Sequence, residues 1–333
     1  MPISAADFEP HLHLVPSVIF NGFRIRALSD KVHSRPLTET FHEFLIGVVH
    51  WAFGETWWKQ QLGMPANKRH VVVRWYLTYC EFTRQRTGPD TKRADDVSYS
   101  SPATGPLWAL LTLGYDLFCL EFTRELPSAL LDRLRQHAAF QSARYELMTA
   151  AVLIRAGFHL EYLDEQQIRE KHGEFIARHP VLGERRLVVE AKTRIRPGVL
   201  HAPGIFSYAG DARGLEELVR NALRKRPADL PFVVFLDVNF PPTPDKEVFE
   251  KPWVEDIKRV LTLLGTPSPE KADRFSLLAV TNFAYHLGAE DARVPHPEFT
   301  LILPKFAEVS LDTSVVAMID SSLGRYHVVP DQL

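Results

Sequence analysis

Two cysteines, Cys80 and Cys119, are all that this chain of 333 residues contains. Each lies inside an apolar helical pattern, which excludes a disulfide framework and a four-cysteine zinc site and predicts buried free thiols. Long apolar runs are missing too: the longest, Pro106 to Leu120, is broken by Asp116 and falls short of the ~20 residues that a membrane-spanning helix needs. A buried helix is expected there. The opening MPISAADFEPHLHL has neither a basic start followed by an apolar run nor a small-residue cleavage site, so no export signal is read and the cytoplasm is the default compartment. There is no Gly-Lys-Ser/Thr phosphate loop, no Gly-X-Gly-X-X-Gly turn and no Gly-X-Ser-X-Gly elbow, which argues against ATPase, dinucleotide-dependent and esterase chemistry. His11 with His13, and His42 with His50, have no Cys or carboxylate partner at a zinc-binding spacing, and no zinc site is assigned from them.

Net charge is small, −2 over the whole chain, but it is unevenly placed. Residues 141–226 carry 15 Lys and Arg against 11 Asp and Glu, whereas 227–333 carry 9 against 16. A basic middle fits a phosphate-binding face, and a solvated charged surface equally well.

The periodicities divide the chain. Thr40 and Glu43 have capping-box spacing and precede Phe41, Phe44, Leu45, Val48, Val49 and Ala52 on one helical face, with Gly54 as the stop. Val72, Trp75, Tyr76, Tyr79 and Cys80 repeat that spacing, Gln85–Thr104 reads as a loop, and helices are predicted over 107–120 and 127–137. Residues 1–140 thus predict an all-α N-terminal domain that selects substrate or partner. The tryptophans Trp51, Trp57, Trp58 and Trp75 are read as core in preference to base-stacking platforms.

After Phe140 the pattern changes. A helix over 142–156 closed by Gly157 leads into a strand over 158–163, a second over 174–178, a turn at 179–183 and a third strand over 186–192, a three-strand meander. A helix over 214–226, an apolar strand over 231–237, a helix over 253–264 and a strand over 276–282 follow. The second domain is expected to span 141–333.

Residues two apart in a strand share a face, so Glu190 and Lys192 of Val-Val-Glu-Ala-Lys point the same way and Ala191 the other. If the hairpin register brings Glu174 to the same region, two carboxylates stand beside one ammonium. Such a pair suits Mg²⁺, a hard cation that prefers oxygen ligands. A phosphodiester under attack needs a positive centre for its growing charge and an activated water, and a carboxylate-held metal supplies both. Glu-X-Lys by itself is more often a solvated strand face with a minor ion pair, and its buried context raises its weight.

On these residues the chain resembles the PD-(D/E)XK nuclease superfamily, whose core order of helix, three strands, helix, strand is the order read over 141–282. The resemblance implies an α/β fold with a restriction-endonuclease-like core, a mixed central sheet flanked by helices. It also implies that Glu146 is the helix acid, Glu174 and Glu190 are metal ligands together with the Ala191 carbonyl, and Lys192 positions water or phosphate. Gly173-Glu174 departs from the proline-aspartate usual in the family, and Asp164 is a substitute ligand candidate. The function implied is a Mg²⁺-dependent endonuclease, with Mn²⁺ as a substitute ion, hydrolysing DNA through a metal-activated water. Many related nucleases are dimers, so a homodimer is an expectation by analogy. The competing reading is a non-catalytic module that binds nucleic acid or protein on a degenerate nuclease core. Arg194, Arg196, Arg220, Arg224, Lys225 and Arg226 are candidate phosphate contacts, although surface solvation is the reading for most of them.

Overall fold

The computed structural model describes residues 17–85, 92–93, 99–100, 103–123, 126–163, 173–180, 183, 186–201, 204–205, 212–265, 268, 270–283 and 298–330. The N-terminal part is not all helical. Val18–Phe20 (β1), Phe23–Leu28 (β2) and Lys31–Pro36 (β3) form an antiparallel three-stranded sheet. Asn21 and Gly22, at φ 48° and 77°, make the two-residue turn between β1 and β2, and Ser29, at φ 55°, opens the next one. Asn-Gly is the strongest short hairpin signal, because both turn positions need φ > 0. The expectation of an all-α region passes over it because β1 is exposed along its whole length and offers no buried alternation.

The helices that follow agree with the periodicity. In Phe41–Phe53 (α1) the Thr40 hydroxyl accepts from the Glu43 N–H at 3.2 Å, and the Glu43 carboxylate accepts from the Thr40 N–H at 2.8 Å, closing the capping box. Glu55–Leu62 (α2) and Val71–Gln85 (α3) come next, then a two-residue ladder of Lys92–Arg93 (β4) and Tyr99–Ser100 (β5) within the stretch expected as a loop. Gly105–Thr123 (α4) is buried along most of its length, and Ser128–Leu134 (α5) follows. No helix among the described residues is long and apolar enough to cross a membrane. Both thiols are free, Cys119 buried and Cys80 half-buried. Trp58 and Trp75 are buried and Trp51 and Trp57 pack against the same core.

The second part is mixed α/β. Phe140–Arg155 (α6) precedes His159–Tyr162 (β6), Phe175–Arg178 (β7) and Arg186–Thr193 (β8), which pair as an antiparallel meander. Ala212–Leu223 (α7), Phe232–Asp237 (β9), Pro252–Leu264 (α8) and Leu277–Asn282 (β10) add parallel strands through crossover helices, as parallel neighbours require. Two elements not anticipated, Glu298–Ile302 (β11) and Thr313–Gly324 (α9), complete it, giving a six-stranded sheet in the order β11-β10-β9-β8-β7-β6. Gly157, at φ 83°, makes the left-handed exit from α6 that a side chain would strain.

The sheet's two faces have different partners. Val189, Ala191, Val233, Phe235, Leu277 and Ala279 share one apolar core with α6, α9 and the helices α1, α3 and α4. Val188, Val234, Leu236, Leu278 and Val280 face α7 and α8 in a second core. Asp116, the residue that interrupts the apolar run in α4, accepts from Arg144 at 2.7 Å, Arg155 at 2.5 Å and the Tyr326 hydroxyl at 2.6 Å, tying α4 to α6 and to the C-terminal segment.

Candidate active site

Side-chain alternation along β8 decides which face carries chemistry. Val188 belongs to the core under α7 and α8, so Glu190 and Lys192, two and four residues on, project to that face. Glu174 arrives from the neighbouring segment: its N–H donates to the Val189 carbonyl at 2.8 Å, one step before the β7 ladder begins at Phe175–Val189. The preceding glycine is sterically required. A Cβ on Gly173 would lie 2.5 Å from the Val189 carbonyl oxygen and 2.6 Å from Val188 Cγ1. The Gly173-Glu174 pair therefore suits a chain that runs close against β8.

The structure brings Glu174, Glu190 and Lys192 together, and adds Lys225, which the sequence offers only as one of several candidate phosphate contacts. Lys192 Nζ lies 2.6 Å from Glu190 Oε1 and 3.2 Å from Glu174 Oε1. Lys225 Nζ, just past α7, lies 3.1 Å and 3.2 Å from the same two oxygens. One carboxylate oxygen from each glutamate thus converges on a common cationic point. Glu190 is fully buried and its Oε2 has no hydrogen-bond donor among the described residues. Lys192 and Lys225 are partly exposed, so the cluster opens to solvent on the ammonium side.

Electrostatics separate the two acids. Burial, reinforced by the neighbouring Glu174, pushes Glu190 up to about 7 against the pull of both lysines. Burial acts the same way on Glu174, but Lys192 and Lys225 outweigh it and hold that carboxyl below its ordinary range. For Lys192, the two carboxylates outweigh burial and raise it. Near neutral pH the cluster is therefore one proton away from carrying two ionised acids. Ala191, the carbonyl expected among the ligands, sits where the β7 ladder has already ended. Val189 bonds toward β7, whereas Val188 and Arg194 bond toward β9. Alternation therefore turns the Ala191 carbonyl to the β7 side of the strand.

The remaining expected residues lie elsewhere. Glu146 is on α6, which packs on the opposite face of the sheet, and both its oxygens are 2.8 Å from Arg133 Nη2 of α5. Asp164 lies outside the described residues. Arg194 and Arg196 are buried beside Phe240, with guanidinium carbons 5.5 Å and 4.3 Å from its ring centroid, and so form no phosphate surface. Arg220 pairs with Glu216, Arg226 with Glu308, and Arg224 donates to Asn221. Of that basic group Lys225 alone contacts the two glutamates, a choice made by where α7 ends against β8. A histidine cluster, His70, His137 and His201, was also not legible, since its members are more than 60 residues apart in sequence. Comparison of the chain with protein-family models, with curated proteins and with solved structures gives no match.

Proposed function

We propose that the chain is a metal-dependent phosphodiesterase of the PD-(D/E)XK type acting on DNA, with Glu174, Glu190 and the Ala191 carbonyl as ligands for Mg²⁺ or Mn²⁺. The convergence of Glu174 Oε1 and Glu190 Oε1 on one cationic point carries this reading. The donor set fits a hard cation: it is made of oxygens, and one buried carboxylate oxygen, Glu190 Oε2, has no hydrogen-bond donor among the described residues. Order supports it as well, since helix, three-strand meander, helix and strand occur as α6, β6-β7-β8, α7 and β9.

An ion held there supplies a positive centre for the charge growing on the phosphoryl oxygens and lowers the pKa of a bound water. The chain's own groups do the rest. Lys192, partly exposed beside both acids, offers its ammonium to a phosphate oxygen or to the attacking water. Glu190, raised to about 7 by burial and the neighbouring Glu174, would have to be ionised to hold a cation, which would couple site loading to pH. Lys225 stands in the same place as a competing cation and must yield it, becoming available to the phosphate backbone. Glu146 has no part in this scheme, because α6 lies across the sheet.

Cleavage of supercoiled plasmid and of short single- and double-stranded DNA and RNA, with Mg²⁺, Mn²⁺ or EDTA, tests the proposal. Metal-dependent cutting that disappears in Glu190→Ala and Lys192→Ala is the expected result. Binding of nucleic acid without cutting, unaffected by either substitution, would favour a non-catalytic module in which two lysines simply neutralise two buried glutamates.

A further inference from the structure

On the other side of the sheet three imidazoles from distant segments meet. His70 immediately precedes α3, His137 follows α5, and His201 lies in the connection between β8 and α7. One ring nitrogen from each lies within 4.8 Å of the others. Ring centroids are 5.0 Å apart for His70 and His137, 4.7 Å for His70 and His201, and 4.0 Å for His137 and His201. With metal–nitrogen bonds of about 2.0–2.1 Å, rings on one tetrahedral ion have centroids roughly 4.5–5.5 Å apart, so two of the three spacings already fit and the third must open slightly.

We infer that His70, His137 and His201 bind a transition-metal ion of the zinc class, independently of the carboxylate cluster. His70 is completely buried, and its Nε2 has no hydrogen-bond partner among the described residues. A buried imidazole nitrogen without a partner requires an explanation, and an ion supplies one. All three rings are held in the neutral form that ligates metal: burial first, then the neighbouring imidazoles, push His70 down to about 2 and His201 to about 4, and burial lowers His137. Arg74, exposed one turn into α3, adds positive potential at each ring, so binding rests on the three lone pairs and not on net charge. Phe53, Trp57 and Phe140 pack around His70 and form an apolar wall. Leu200 and His201 are consecutive non-glycine residues at positive φ, 43° and 75°, a costly backbone that delivers His201 to the cluster. His137 and His201 are only partly buried, which leaves the fourth coordination position accessible.

His201 Nε2 accepts from the Val71 N–H at 2.6 Å, and the Val72 N–H faces His70 Nδ1 at a long 3.3 Å. An ion bound through His201 Nε2 would compete with the Val71 N–H for that nitrogen, and one bound through His70 Nε2 would leave the His70 proton on Nδ1, against the Val72 N–H. The ion is therefore coupled to the first turn of α3, which gives a signature that simple packing of three rings lacks.

The test uses the full chain, stripped with EDTA, dialysed and titrated with Co²⁺ and then Zn²⁺, comparing wild type with His137→Ala and Glu190→Ala. His137 is chosen because it is partly exposed and its removal leaves the cap of α3 intact; circular dichroism checks folding. The expected outcome is one equivalent of Co²⁺ with strong d–d bands in wild type and in Glu190→Ala, displaced by Zn²⁺, and affinity at least about tenfold weaker in His137→Ala. Amide exchange at Val71 accelerates on loading. Absence of the bands in wild type, equal binding by wild type and His137→Ala, or loss confined to Glu190→Ala would each overturn the inference. None of these outcomes depends on cleavage, so the inference and the nuclease reading fail separately.

Discussion

Among the buried charged clusters of the described residues, one behind α6 and another beneath α7 are built in opposite ways. Behind α6 a single carboxylate, Asp116, is saturated by Arg144, Arg155 and Tyr326, all within 2.7 Å, and Arg155 also stacks over Tyr115 at 4.2 Å. Beneath α7 two carboxylates share two ammoniums, one acid is forced toward protonation, and an oxygen of Glu190 has no donor among the described residues. The first arrangement resembles a tie between elements, with every atom of its acid engaged. The second leaves one acid oxygen unsatisfied among the described residues, and it is this that the proposed cation would satisfy.

The comparison can be broken by substitution. The largest effect is expected for Asp116→Ala, which leaves two buried guanidiniums uncompensated and should cost about 3–5 kcal/mol in urea unfolding. A loss under about 1 kcal/mol would mean that this cluster is not a structural tie. Next, Glu190→Ala or Lys192→Ala should lower metal-dependent cleavage by roughly 10²–10³ while unfolding midpoints stay close to wild type. If either variant is destabilised as much as Asp116→Ala, the contrast between the two clusters disappears.

A pH series sharpens the same contrast with a smaller signal. Glu190 binds its proton more tightly in the folded chain, so its contribution to stability is lost as pH rises from the ordinary glutamate value of 4.5 to about 7. Glu174, held low, acts in a different window, its contribution falling away as pH drops below its unfolded value. Asp237, pushed up to about 6 by burial, slopes in the same direction as Glu190. The difference between wild type and Glu190→Gln therefore isolates the site: the urea midpoint of wild type should decline from pH 5 to pH 7 relative to the variant. Equal slopes would count against a strained Glu190. The smallest effect is expected for Lys225→Met, which removes a competing cation and should tighten Mg²⁺ binding by roughly tenfold or less, since one nearby unit charge in a wet site is worth on the order of 1 kcal/mol. Calorimetric titration of Mg²⁺ reads this directly, and weaker binding would mean that Lys225 supports the ion instead of competing with it.

Much of the fold is legible because its signals are local. The capping box at Thr40 and Glu43, the stop at Gly157 and the apolar strand ending at Asp237 depend on residues within a turn or two of each other. The errors have physical causes as well. The β1-β2-β3 sheet escaped because its strands are short and largely exposed, although Asn21-Gly22 was the cue to look for. β11 and α9 were missed because β11 is only partly covered and α9 is capped by Asp312 after a run without strong periodicity. Glu146 is expected at the site only from the family resemblance, and a resemblance in element order does not say on which face of the sheet α6 lies.

The sequence by itself determined that Glu190 and Lys192 share a face, because strand alternation repeats every two residues whatever surrounds it. It also determined the succession of helix, meander and crossover, through the periodicity of apolar residues. Only the tertiary structure decided that this face looks toward α7, that Glu174 is delivered by a glycine pressed against Val189, that Lys225 closes the cluster, and that His70, His137 and His201 meet. Those outcomes depend on how elements far apart in the chain bury their apolar faces against one another, and no spacing along a single segment records that.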